Sequence, residues 1–212
     1  MERLYSITDP ERLTIREGER VWRGADQEWY GEELQRKAGC GPTCASMLFS
    51  YLAATRPEWK DLYPSVSRER GDFLALMNEV WKHVTPGRMG VNTNYLFTKG
   101  VKSYGEEKGL KLPVRELDIP ALRMARPTVD QCAAFLRTGL AADCPVAFLN
   151  LHAGEVEGLD SWHWVAIIAL EEHSEGPLIC TILDGGEELT VDFRLWFQTT
   201  TRGGGLVYLP KA

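Results

Sequence analysis

The sequence predicts an α+β fold, and three observations carry that reading. Helical periodicity dominates residues 40–140, short β-branched and aromatic runs dominate residues 141–212, and the helical part largely precedes the strands. At 212 residues, with 44% apolar and 25% charged residues, the chain suits one globular domain able to bury a full core. Three parts are expected within residues 1–212: a loop-rich lead-in over 1–39, a mainly helical part over 40–140 and a mainly antiparallel sheet over 141–212.

The lead-in is polar with scattered aromatics (Tyr5, Trp22, Trp29, Tyr30) and shows no sustained periodicity. A helix follows over 41 to about 55. Cys44, Leu48, Tyr51 and Leu52 fall at helical spacing, and Pro42 suits a first turn, where a missing N–H costs nothing. A second helix is expected over about 69–84, with Phe73, Met77, Val80, Trp81 and Val84 on one face. A third opens after Asn92 or Thr93, either a suitable N-cap, and runs towards Gly109 across Gly100 and Gly105. Next come a strand in "LKLPVREL" and a short helix in "TVDQCAAFLRTGL" after Pro127. Strands are then expected in "PVAFLNL", "WHWVAIIAL", "PLICTIL", "ELTVDF" and "GLVYL", with a helical turn at 193–200. "WHWVAIIAL" is apolar at nearly every position, so it should be central in its sheet.

Composition removes several functional classes. A net charge of −6 argues against nucleic acid as a partner, and no apolar run approaches the length that spans a bilayer. The charged start "MERLYSITDPERLTIREGER" lacks the apolar region of a secretion signal, so a cytoplasmic location is expected. The cysteines stand at 40, 44, 132, 144 and 180, an odd number without disulfide spacing. They and the four histidines lack the short paired spacings of a zinc site, so no metal and no organic cofactor is expected. "CGPTC" separates its cysteines by three residues, where the thioredoxin motif needs two. "TRGGGLVYL" lacks the lysine and following helix of a phosphate-binding loop.

The chemistry that remains centres on "AGCGPTCASML". A thiol at a helix N-terminus is favoured as thiolate by the helix dipole and the free N–H groups of the first turn. Cys40 opens the helix, between Gly39 and Gly41, which allow a sharp entry and close approach of a substrate. Cys44 lies one turn later on the apolar stripe and reads as a small buried hydrophobe. Among the histidines, His83 falls at a helix end, His152 in a loop and His173 in a turn. His163 opens the central strand between Trp162 and Trp164. A hairpin through "EEHSEGP", with its turn centred between residues 173 and 174, sets His163 opposite Asp184. Such pairs have Cβ atoms about 4.5–5.5 Å apart. The carboxylate then accepts from Nδ1–H and leaves Nε2 for a thiol. Core packing for His163 and turn chemistry in "DGG" for Asp184 are the alternatives.

The order "GCGPTCASML", "CPVAFLNL", "HWVAIIAL" and "ILDGGEELTVDF" resembles the C39-like branch of the papain-like cysteine peptidases, over roughly residues 35–209. The resemblance implies a papain-like fold, with the nucleophile helix packed against a curved antiparallel sheet. It implies Cys40 as nucleophile, His163 as general base and acid, and Asp184 as orienting group. It further implies an oxyanion-binding glutamine shortly before the cysteine. Gln35 is the candidate although it stands one residue too close, and Gln27 is the fallback. Gly39, Gly41, Trp162 and Trp164 are candidates for the cleft lining. The expected activity is hydrolysis of a peptide, isopeptide or related amide in a peptide or protein substrate. The alternatives are acyl transfer or deamidation by the same residues, and a non-catalytic binding module.

Overall fold

The computed structural model describes residues 2–173 and 176–211. It is an α+β structure built on one large antiparallel sheet, and residues 2–39 hold more regular structure than their composition suggests. Strand β1 (Glu2–Ser6) is followed by the hairpin β2 (Thr14–Glu17) and β3 (Arg20–Arg23), then by the short helix α1 (Glu33–Ala38). β1 joins the main sheet, so the lead-in is a structural part of the domain and not a loop wrapped around it.

Helix α2 (Cys40–Thr55) is the centre of the molecule. Every residue from Gly41 to Ala53 is buried, so its apolar character extends round the whole cylinder, as expected of a core helix. Cys44 Sγ lies 3.3 Å from the Val165 carbonyl, which places the helix directly on the sheet. Helix α3 (Arg70–Trp81) packs beside α2. Helix α4 (Asn94–Glu107) starts from Thr93, whose side chain accepts from Leu96 N–H, one of the two expected caps. Helix α5 (Val129–Ala141) opens with a full capping box, Thr128 with Gln131.

The main sheet also contains β4 (Arg115–Ile119), β5 (Val146–Asn150), β6 (His163–His173), β7 (Leu178–Asp184), β8 (Glu187–Asp192) and β9 (Gly204–Tyr208). The strand order is β4-β9-β5-β6-β7-β8, and β1 pairs with the far half of β6 on the same side as β5. β6 is therefore central, as its apolar sequence predicts. Helix α6 (Phe193–Thr199) occupies the expected helical turn. The strand expected in "LKLPVREL" begins only at Arg115, because Pro113 has no N–H to give a ladder.

The β6–β7 register differs from the simple hairpin. The expected turn between residues 173 and 174 reaches outside the described residues, and the described part of β6 runs to His173. Ala169 pairs with Thr181 but Ile167 with Ile182, so Ile168 is an extra residue, a β-bulge. Beyond it Ala166 pairs with Leu183. Asp184 thus lies diagonally across from His163, not opposite it; the residue opposite His163 is Asn150 on β5. The two-position error preserves parity, so both side chains still share a face.

Gly100 sits inside α4 because the helix lies against the end of the α3 segment: a Cβ there would come 2.7 Å from the His83 carbonyl oxygen. Gly71, in the first turn of α3, has open space around it. Gly100→Ala is expected to destabilise the protein by about 1–3 kcal/mol despite better helix propensity. Gly71→Ala should be neutral or stabilising by up to about 1 kcal/mol. Urea midpoints of the two variants check both signs.

Candidate active site

Cys40 is the first residue of α2, and its N–H is one of the donors that a first helical turn leaves without an intrahelical partner. Gly39 and Gly41 do bracket it, but they do not line a cleft. A Cβ on Gly39 would come 2.6 Å from the Tyr30 ring, and one on Gly41 would come 3.0 Å from Val91. These glycines admit the protein's own side chains, which lock the helix start in place, and neither glycine lines the two cavities that meet at Cys40.

His163 starts β6 and projects towards Cys40. Its Nε2 is 2.6 Å from Asp184 Oδ1, and its ring lines the same cavity as Cys40. The roles of the ring nitrogens are the reverse of the expected ones: Nε2 serves the carboxylate, which leaves Nδ1 for the sulfur. The diagonal register accounts for this, because Asp184 reaches the ring at its distal nitrogen. Burial by itself pulls the imidazole pKa down, but the hydrogen bonds and charges of Asp184 and Cys40 outweigh it. The result is a pKa raised from 6.5 to about 10.

The remaining cysteines are unlike Cys40. Cys44, Cys132, Cys144 and Cys180 are all buried, and burial pushes each thiol upwards, Cys132 to about 12. Cys40 is the one cysteine with appreciable solvent access, and no cysteine of the chain is disulfide-bonded.

Of the two tryptophans flanking His163, only Trp162 is exposed, at 39%. It holds φ +60°, an uncommon conformation for a bulky side chain, and its carbonyl lies 4.0 Å from Cys40 Sγ. Trp164 is buried, stacks on Phe97 with ring centroids 4.2 Å apart, and gives its indole N–H to the Val91 carbonyl. Its ring is core packing, although its edge reaches the cavity beside Cys40.

Gln35 is not at the site. Its Nε2 donates to Asn78 Oδ1 at 3.1 Å, and it lines neither cavity at Cys40. Gln27, thirteen residues before the cysteine, does line the cavity that holds Cys40, His163 and Asp184. It arrives there because the β2–β3 hairpin docks on the β7–β8 turn: Trp22 packs against Gly186, Arg23 N–H donates to the Gly186 carbonyl, and Arg23 pairs with Glu188. Spacing from the cysteine is a poor guide here because α1 is inserted between Gln27 and Cys40.

Asn150 is a residue that sequence reasoning missed. It is fully buried, donates to the Asp160 carbonyl at 2.6 Å, and accepts from His152 N–H and Trp196 Nε1. This pins the 151–162 loop that leads into His163. A polar residue ending the otherwise apolar "PVAFLN" is the signal that marks it.

His83, His152 and His173 have other work. His83 pairs with Glu107 and Ser103, His152 accepts a loop N–H from Gly154, and His173 ends β6, not a turn, beside Glu171. Among the described residues no group of acidic, His and Cys side chains is arranged to hold a metal, and no helix is long and apolar enough to cross a membrane.

The chain matches no family model and no curated protein.

The imidazolium, favoured by Asp184, contributes stability that is complete below about pH 6.5 and fades as pH rises through about 10. In Asp184→Asn, burial is opposed by less, and the His163 titration should fall by roughly 1–3 units. An NMR titration of the His163 ring in both proteins measures it. Native-state alkylation with iodoacetamide should modify one site, lost in Cys40→Ala and retained in Cys44→Ala.

Proposed function

We propose that the protein is a cysteine hydrolase of the papain-like, C39-like kind, acting on a peptide, isopeptide or related amide. One observation carries the reading: the partly accessible cysteine that opens a buried helix shares a cavity with a histidine whose Nε2 is held by a largely enclosed carboxylate. The family likeness is supported by a central helix lying on an antiparallel sheet whose adjacent strands supply His163 and Asp184.

In the proposed reaction the Cys40 thiolate attacks the amide carbonyl carbon, forming a C–S bond and moving the carbonyl π electrons to oxygen. The Cys40 N–H stabilises that oxyanion, with Gln27 as the side-chain donor. One proton of Gln27 Nε2 goes to the Arg36 carbonyl at 2.9 Å, which fixes the amide, and its second is free for the oxyanion. Collapse breaks the C–N bond, and the amine leaves with the proton of the His163 imidazolium. Neutral His163 then takes a proton from water as the water attacks the thioester. Carboxylic acid departs and the thiolate–imidazolium pair returns. Asp184 keeps the ring oriented and its cation stabilised throughout.

Transfer of the acyl group to an amine is the second reading. It is favoured by the presence of two separate cavities at Cys40, which give space for an acceptor beside the acyl group. Hydrolysis is preferred because water needs no site of its own.

A pool of internally quenched peptides tests the proposal. Turnover is expected in the wild type and absent in Cys40→Ala. Gln27→Ala should lower kcat by about 10²–10³-fold with little change in KM, whereas Gln35→Ala should turn over normally. Undiminished cleavage by Cys40→Ala would refute the mechanism.

A further inference from the structure

The two cavities that meet at Cys40 have opposite chemistry. The first, of about 350 Å³, is lined by four further acidic residues, Asp26, Glu28, Asp160 and Glu187, together with His163 and the Asp184 that holds it. The second, of about 450 Å³, is lined by Leu34, Met89, Val91, Leu149, Leu151 and Trp162, of which Leu34, Met89 and Trp162 are exposed. Cys40 is the single residue common to both.

We infer that the substrate is an amide joining an apolar acyl part to an amine part that carries a positive charge. The inference rests on the cysteine-hydrolase reading and specifies its substrate. His163 lines the carboxylate cavity and not the apolar one, and the leaving nitrogen must take its proton from His163. The amine side therefore lies in the first cavity, and the acyl side, attached to Cys40 after the C–N bond breaks, lies in the second.

Charge supports the same assignment. Among the described residues, Asp26, Glu28, Asp160 and Glu187 form no ion pair with Lys, Arg or His, although the chain's surface carries many such pairs elsewhere. No Lys or Arg lines that cavity. A cation supplied by the substrate would give these unpaired carboxylates their counter-charge. Two further acceptors in the same wall have no hydrogen bond of ordinary geometry: Thr43 Oγ1, on a residue only 5% exposed, and Gln27 Oε1. A guanidinium or ammonium offers the donors that carboxylates and orphaned oxygens require. In the second cavity Arg88 stands among the apolar side chains, and Lys37 there is paired with Glu33, so a positive acyl part gains no counter-charge.

Two measurements test this, one of them independent of turnover. Cys40 is modified with trimethylammonium-ethyl and sulfonatoethyl methanethiosulfonate, each rate normalised to iodoacetamide and to a free cysteine derivative. The cationic reagent should react at least about tenfold faster than the anionic one at low salt. The ratio should shrink in high salt and in the Asp160→Asn/Glu187→Gln variant. In parallel, internally quenched peptides with Leu or Asp on the acyl side and Arg, Gln or Glu on the amine side are compared. The Leu–Arg peptide should have the highest kcat/KM, and Met89→Glu should erode the preference for Leu. Rapid Cys40 modification without charge preference, or equal cleavage of Arg and Glu peptides, overturns the inference and leaves the hydrolase reading intact. Slow modification of Cys40, no faster than that of the buried cysteines, overturns both.

Discussion

The pairing of β6 with β7 carries the site, and the bulge at Ile168 decides what that pairing delivers. From the turn end, the register Leu170–Cys180 and Ala169–Thr181 would continue to set Ala166 against Asp184. His163, three residues from Ala166, would then point to the other face of the sheet. One extra residue shifts the ladder, so that His163 and Asp184 share a face in diagonal positions, close enough for a 2.6 Å contact. An imidazole more than half enclosed by protein would otherwise lose its proton near neutrality. With the carboxylate and the thiol beside it, the cation persists to about pH 10.

The third partner comes from a different element and needs a different constraint. α2 is buried along almost its whole length, so its position on β6 is set by packing on every side and Cys40 has little freedom. Tight contacts of Gly39 with Tyr30 and of Gly41 with Val91 complete the fixation at the very turn that carries the thiol. Val91 is in turn tied to β6 through the Trp164 indole. Helix start, sheet and intervening loop are thus tied together by packing and hydrogen bonds, which holds Cys40 and His163 in a fixed mutual position.

Around that unit, polar groups do the positioning that apolar packing cannot. Asn150 satisfies three partners in a buried position and thereby fixes the loop that feeds Trp162 and His163 into the sheet. The positive φ of Trp162 is tolerated because residues on both sides of it are held. The N-terminal segment closes the other wall through the β2–β3 hairpin, bringing Asp26 and Gln27 to the cavity. Residues 2–39 are therefore part of the site's architecture and not an appendage to it.

Much of this was legible from the chain alone, for local reasons. Helical periodicity with Pro42 in a first turn places α2, continuous apolar character marks β6 as central, and the order Cys40, His163, Asp184 picks out three residues that the fold brings to one cavity. Each depends on residues near one another in sequence. The tertiary structure decided what depends on distant packing. A bulge buried in a central strand has no sequence signature, so the His163–Asp184 register and the choice of ring nitrogen emerge only from the folded sheet. The displacement of Gln35 to Asn78, and the arrival of Gln27 in its place, follow from how a hairpin thirteen or more residues upstream docks on the β7–β8 turn. Chain spacing cannot encode the separation of carboxylates from apolar side chains on either side of one sulfur, because those walls are assembled from five or more segments that meet only on folding.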